Sequence, residues 1–163
     1  MTEVMNALVI SPVLVPLATA VATTLARDRI ALQAGISYVG IFAFLICATW
    51  LVQIADSGTV PSAAFGGWAV PYGIEFRIDR MSASLVLITA LMGLASLLFM
   101  ASDADTGERH GLLLPLLHGL LAGVGGAFVT ADLFNLYVWF EVMLICAVGL
   151  FAIGGRLDQI EGS

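Results

Sequence analysis

Residues 131–154 form an apolar run long enough to cross a bilayer, and a single carboxylate, Glu141, stands near its middle. A hydrocarbon core of about 30 Å takes about 20 apolar residues as a helix. A charged side chain at that depth costs at least about 2.5 kcal/mol unless it is paired, hydrated or protonated. A leucine would avoid the cost altogether, so Glu141 reads as a functional residue.

The rest of the chain has the same character. Of 163 residues 60% are hydrophobic and 11% charged, and the mean hydropathy is +1.03, which excludes a soluble domain. The formal net charge of -6 comes from acids in loops and at helix ends. With no basic patch to neutralise phosphates, no nucleic-acid partner is expected. Cys47 and Cys146 each lie inside an apolar run and read as small hydrophobes rather than a disulfide or a metal pair. No nucleophile elbow, phosphate loop or metal-ligand spacing is present, and the GVGG at positions 123–126 lacks the dinucleotide fingerprint. Neither an enzyme active site nor any cofactor or metal is therefore expected.

The fold class implied is an all-α integral membrane protein, one membrane domain over residues 1–163 with five helices at about 7–26, 30–51, 81–101, 112–130 and 131–154. Pro12 and Pro16, one turn apart, are expected to kink the first helix or mark its start, with packing as their main role. Trp50 suits the headgroup level. The connection 52–80 is an interfacial loop, rich in turn formers and carrying Trp68 and Tyr72. Within it, Ile74, Phe76 and Ile78 alternate with Glu75, Arg77 and Asp79, the period of a half-buried strand, so a short extended segment or hairpin is expected on the membrane face. A polar loop follows at 102–111. In the fourth span Gly119, Gly123 and Gly126 make a small-residue stripe for close helix packing. The turn into the fifth is only Thr130, Ala131 and Asp132. Asp132 is placed to cap the new helix, with ion access as its second reading.

Five spans put the ends on opposite sides. Arg27, Arg29, Arg109 and Arg156 share one side against Arg77 and Arg80 on the other, so the tail is expected in the cytoplasm and the start outside the cell membrane.

Glu141 has candidate partners. Tyr137 lies one turn before it on the same face and could donate to the carboxylate, and Asn135 on a neighbouring stripe could help to hold water. If Asp132 marks the surface, Glu141 lies roughly 15 Å in and His118 roughly 20 Å in along the antiparallel fourth helix. That is a comparable depth, while rotation about the helix axes stays open. Glu, His and Tyr at such depth suit proton transfer, although a histidine hydrogen-bonded within the core is an equal reading of His118. The chain has no lysine, and every arginine lies in a loop or at a helix end, so an intramembrane cation for Glu141 must come from another polypeptide.

The stretch TADLFNLYVWFEVMLICAVGLFAIGG, with GGWAVPYGIEFRIDRMSA upstream, resembles the D subunit of the Mrp-type multisubunit sodium/proton antiporters. That family is similar in turn to the antiporter-like membrane subunits of respiratory complex I and of membrane-bound hydrogenases. The resemblance implies that the acid of the fifth helix, Glu141 here, translocates protons with a lysine on a later helix. Members have about fourteen helices built around two inverted five-helix repeats, whereas this chain stops after the fifth. The implied reading is the N-terminal half of a split subunit, with a truncated remnant as the other possibility. The function implied is proton movement in a monovalent cation/proton antiporter. Its partners would be H+, Na+, lipid and further membrane subunits, one of them supplying the later helices. A proton-pumping subunit of a complex I-like or hydrogenase complex, or an assembly subunit that transports nothing, are the alternatives.

Overall fold

The computed structural model describes residues 2–65, 73–102 and 110–153. Five helices account for most of these: α1 Thr2–Leu25, α2 Ile30–Asp56, α3 Arg80–Ser102, α4 His110–Val129 and α5 Leu133–Ile153. Two short strands, β1 Ser62–Phe65 and β2 Ile74–Arg77, lie between α2 and α3. Each helix is long and apolar enough to span a bilayer, so the chain is a multi-pass membrane protein.

Two boundaries differ from the expectation. Helix α1 begins at Thr2 and continues unbroken past Pro12 and Pro16. Both prolines are buried, and Pro12 turns its carbonyl towards Gly125 of α4, so they serve packing. Helix α2 continues to Asp56, into what reads as connection. Its last carbonyls are satisfied from outside the helix. The Ser57 and Thr59 hydroxyls donate to the Ile54 carbonyl, and the Arg80 guanidinium donates to those of Ala55 and Asp56. Gly58, at φ 85°, then lets the chain leave the helix axis.

The expected hairpin is present. β1 and β2 pair antiparallel from Ser62↔Arg77 to Phe65↔Ile74. Phe76 and Ile78 turn into the protein and Arg77 and Asp79 away, as the alternation requires, while Ile74 at the hairpin end stays exposed. The hairpin reaches the α4–α5 turn, where Phe76 bridges Thr130 and the Ala131 amide donates to the Glu75 carbonyl. Asp79 then starts α3, accepting from the Ser82 amide at 2.7 Å while its own amide donates to the Ser82 hydroxyl. These bonds hold its carboxyl below the usual carboxylate range, the Ser82 amide foremost.

Helix α4 is the centre of the bundle, packed on α1, α5, α3 and, more lightly, α2. Helix α5 lies against α4, and its other side is not covered by any of the described residues. Trp68, Tyr72, Arg109, Arg156, most of the loop 102–111 and the tail lie outside the described residues.

Candidate functional site

The α4 glycines set where α5 sits. A Cβ at Gly119 would come 2.7 Å from the Cys146 sulfur, and one at Gly123 would come 2.7 Å from Met143 Cγ and 3.3 Å from the Trp139 carbonyl. A Cβ at Gly126 would press into the Trp139 ring atoms at less than van der Waals distance, and Leu116 closes on Gly149 from the other helix. Only glycine allows this approach. The register is antiparallel, with Gly123 between Trp139 and Met143 and therefore level with Glu141.

Asp132 opens α5 as its cap. Its Oδ1 accepts from the Asn135 amide at 2.6 Å, and its carbonyl accepts from Leu136. The Asn135 side chain, 4% exposed, donates to the Thr130 hydroxyl at 3.0 Å and so ties the helix start back to the turn. Asp132 Oδ2 and the indole N–H of Trp139 are buried with no hydrogen-bond partner among the described residues, which leaves polar capacity for water at this end of α5.

Glu141 lies eight residues after Leu133, about 12 Å along the helix and well inside the apolar span. It is half-buried, and it sits on the side of α5 away from α4. Tyr137, Ile145 and Val148, which share its stripe, are 62%, 67% and 57% exposed. Tyr137 stands one turn before Glu141 on this stripe, near enough for its phenol and the carboxylate to interact. Among the described residues no group of three or more His, Cys, Asp or Glu side chains is arranged to hold a metal.

His118 is not part of that cluster. It is 1% exposed, and its Nε2 lies 2.6 Å from the Ser37 hydroxyl of α2, on the flank of α4 that α5 does not touch. It is also five residues from Gly123, roughly 8 Å along the axis from the level of Glu141. The comparable depth expected from residue counting therefore does not become a contact. Counting gives depth and leaves rotation free. The glycine face of α4, turned to α5, fixes that rotation and carries His118 away.

Ser37 and Gln33, both fully buried on α2, are polar residues that sequence reasoning missed. The available signal is their spacing: two polar residues four apart within an apolar run, matched by Thr19 and Thr23 on α1.

No family model matches the chain. It is 34% identical over 159 residues, 98% of its own length, to the D subunit of the Na(+)/H(+) antiporter of Bacillus subtilis. It is 35% identical over 161 residues to the D subunit of a probable K(+)/H(+) antiporter of Rhizobium meliloti. Among solved structures it superposes on a chain of the Mrp complex from Dietzia sp. DQ12-45-1b with a TM-score of 0.82, at 30% identity over 93% of its length. It superposes on a chain of the membrane-bound sulfane sulfur reductase, an archaeal respiratory membrane complex, with a TM-score of 0.85 at 27% identity. The matched part is 32% of the Bacillus protein and 28% of the Dietzia chain, so the chain spans about a third of the length of its relatives.

Proposed function

From the premise that this chain is a relative of the antiporter D subunits and corresponds to their N-terminal part, we propose that it is a proton-translocating subunit of a multisubunit monovalent cation/proton antiporter, with Glu141 as proton carrier. The observation that carries this reading is the position of Glu141: mid-span, on the uncovered side of α5, with Tyr137 beside it. A carboxylate turned out of its own bundle into a bilayer has no reason to persist unless another element meets it there. The occupant is a helix from outside residues 1–163 that brings a cation, since the chain has no lysine and no arginine inside a span.

In this arrangement the carboxylate takes a proton, holds it with the Tyr137 hydroxyl as neighbour, and releases it as the cationic partner approaches. Asp132 and Asn135, with the open polar positions at Asp132 Oδ2 and Trp139 Nε1, give water a place at the near end of α5. Hydrogen ions and Na+ are the transported species, as the names of the relatives suggest, and the chain is a secondary-transporter subunit rather than an enzyme. The Arg27 and Arg29 side of the membrane faces the cytoplasm, and the start of the chain faces out.

The decisive experiment replaces Glu141 by Gln in the assembled complex. Cation-driven proton movement in vesicles is expected to stop while native gels still show the complex. Undiminished transport refutes the proposal. Loss of the complex itself supports an assembly role instead. A second reading, redox-driven pumping, is favoured by the superposition on the archaeal respiratory complex. Proton movement that needs an electron donor and ignores a cation gradient supports it.

A further inference from the structure

Proton transfer at Glu141 does not use the most buried polar groups among the described residues. They lie on the other side of α4, between α1, α2 and α4. Thr23, Gln33 and Ser37 have no exposed surface, His118 has 1% and Thr19 has 7%. Five polar side chains in the core of an apolar bundle call for a reason, because each would be cheaper as an aliphatic residue.

Most of their hydrogen bonds can be followed. The Thr19 hydroxyl donates to the Val15 carbonyl and that of Thr23 to the Thr19 carbonyl, both at 2.8 Å. The Gln33 amide nitrogen uses both hydrogens, one to the Thr23 carbonyl at 2.9 Å and one to the Gly111 carbonyl at 3.0 Å. This double donation fixes the amide, since a flip would aim its oxygen at two carbonyl oxygens. Gln33 Oε1 is then held in place, buried, and without a hydrogen-bond partner among the described residues. It is an acceptor that asks for a donor. Ser37, one turn further on, is 2.6 Å from His118 Nε2. Residues one turn apart on a helix have Cβ atoms about 5–6 Å apart, so one water between Gln33 and Ser37 can reach both side chains.

The direction of the row is set by the ends of the helices. Gln33 is three residues into α2 and hydrogen-bonds Gly111 at the start of α4, so it lies near the face that carries Arg27, Asp28 and Arg29. His118 is eight residues into α4, about 12 Å from that end.

We propose that Gln33, held by the Thr23 and Gly111 carbonyls, forms with Ser37 and His118 a second, water-holding proton route, leading from the Arg27–Arg29 face to His118 on the flank of α4 away from Glu141. Water bound at Gln33 Oε1 donates towards that oxygen and meets Ser37 with its other groups. When an excess proton reaches the water, the water gives one to Ser37 Oγ as Ser37 gives its own to His118 Nε2, in the tautomer where Nε2 accepts. The hydroxyl is restored and the charge rests on the imidazolium. The route rests on the reading of the chain as a proton-moving subunit but not on Glu141 being the carrier.

The test uses the whole complex in its native membrane assembly. A structure that resolves buried water is expected to show density within hydrogen-bond distance of Gln33 Oε1, bridging to Ser37. A dry site there, with other internal waters visible, overturns the proposal whatever the variants do. In vesicles, Ser37→Ala is expected to slow cation-driven proton movement by about tenfold or more, the scale of a positioned proton-transfer group, with the complex intact on native gels. An intact Ser37→Ala complex working at the parent rate also overturns it. Glu141→Gln measured in parallel separates the two claims. Transport lost in Glu141→Gln but normal in Ser37→Ala removes only the second route, and transport retained in Glu141→Gln removes only the carrier role of Glu141.

Discussion

Helices α4 and α5 lie side by side in antiparallel register, with similar lengths and compositions, yet more than half of α4 is buried among the described residues and hardly any of α5. Each carries an ionisable side chain deep in its span, His118 on α4 and Glu141 on α5. On α4, His118 has a hydroxyl partner in α2 and protein around it. On α5, Glu141 has a tyrosine on its own helix and, among the described residues, no helix in front of it. The first polar site is enclosed by these residues, and the second is laid out for a partner. The difference follows from the glycines of α4. They bring α5 so close on one side that its other side, with the acid, must face outward.

That contrast can be broken or sharpened by substitution. The largest effect is expected from Gly126→Leu. Even a Cβ there would press into the Trp139 ring atoms, and overpacking of this kind costs about 1–3 kcal/mol. The melting temperature of the purified complex should fall sharply. Ile145→Ala on the open stripe should leave that α4–α5 contact alone and act on assembly instead, weakening the retention of neighbouring subunits on native gels. If Gly126→Leu and Ile145→Ala behave alike, the two faces of α5 do not differ as described.

Next in size is Tyr137→Phe, which keeps the ring and removes the donor beside Glu141. Cation-driven proton movement should drop several-fold with assembly unchanged. Asp132→Ala removes the cap of α5, a loss of about 1 kcal/mol seen as a modest fall in melting temperature. Smallest is Asp79, exposed at the start of α3. Its folded-state carboxyl is held below the ordinary 3.8 by the Ser82 bonds, so its contribution is fully present above that value and lost as the pH falls through the depressed one. Melting curves of the parent and of Asp79→Asn should therefore differ slightly near neutrality and converge in acid.

Much of the fold is legible in the sequence, because membrane spans and caps are one-dimensional signals. Run length gives the five helices, the alternation around Phe76 gives the hairpin, and the position of Asp132 gives the cap. The place of Glu141 along α5, with Tyr137 one turn before it, follows from helical spacing alone. What spacing does not contain is the rotation of one helix against another. That is why residue counting puts His118 level with Glu141, when it turns to Ser37 instead. The Gln33–Ser37 pair is visible as a polar step within an apolar run, but its meaning needs α1 and α4 packed around it. The extension of α2 to Asp56 depends on Arg80, 24 residues later, donating to its last carbonyl, which no local pattern encodes.

If Glu141 is the carrier, it changes protonation during transport. Infrared difference spectroscopy on the complex in vesicles, with a cation gradient applied and removed, reports that change directly through the carboxylic-acid C=O stretch. The account predicts a carboxyl band that appears and disappears with the gradient in the parent and is missing in Glu141→Gln. A band of equal size in both would contradict it.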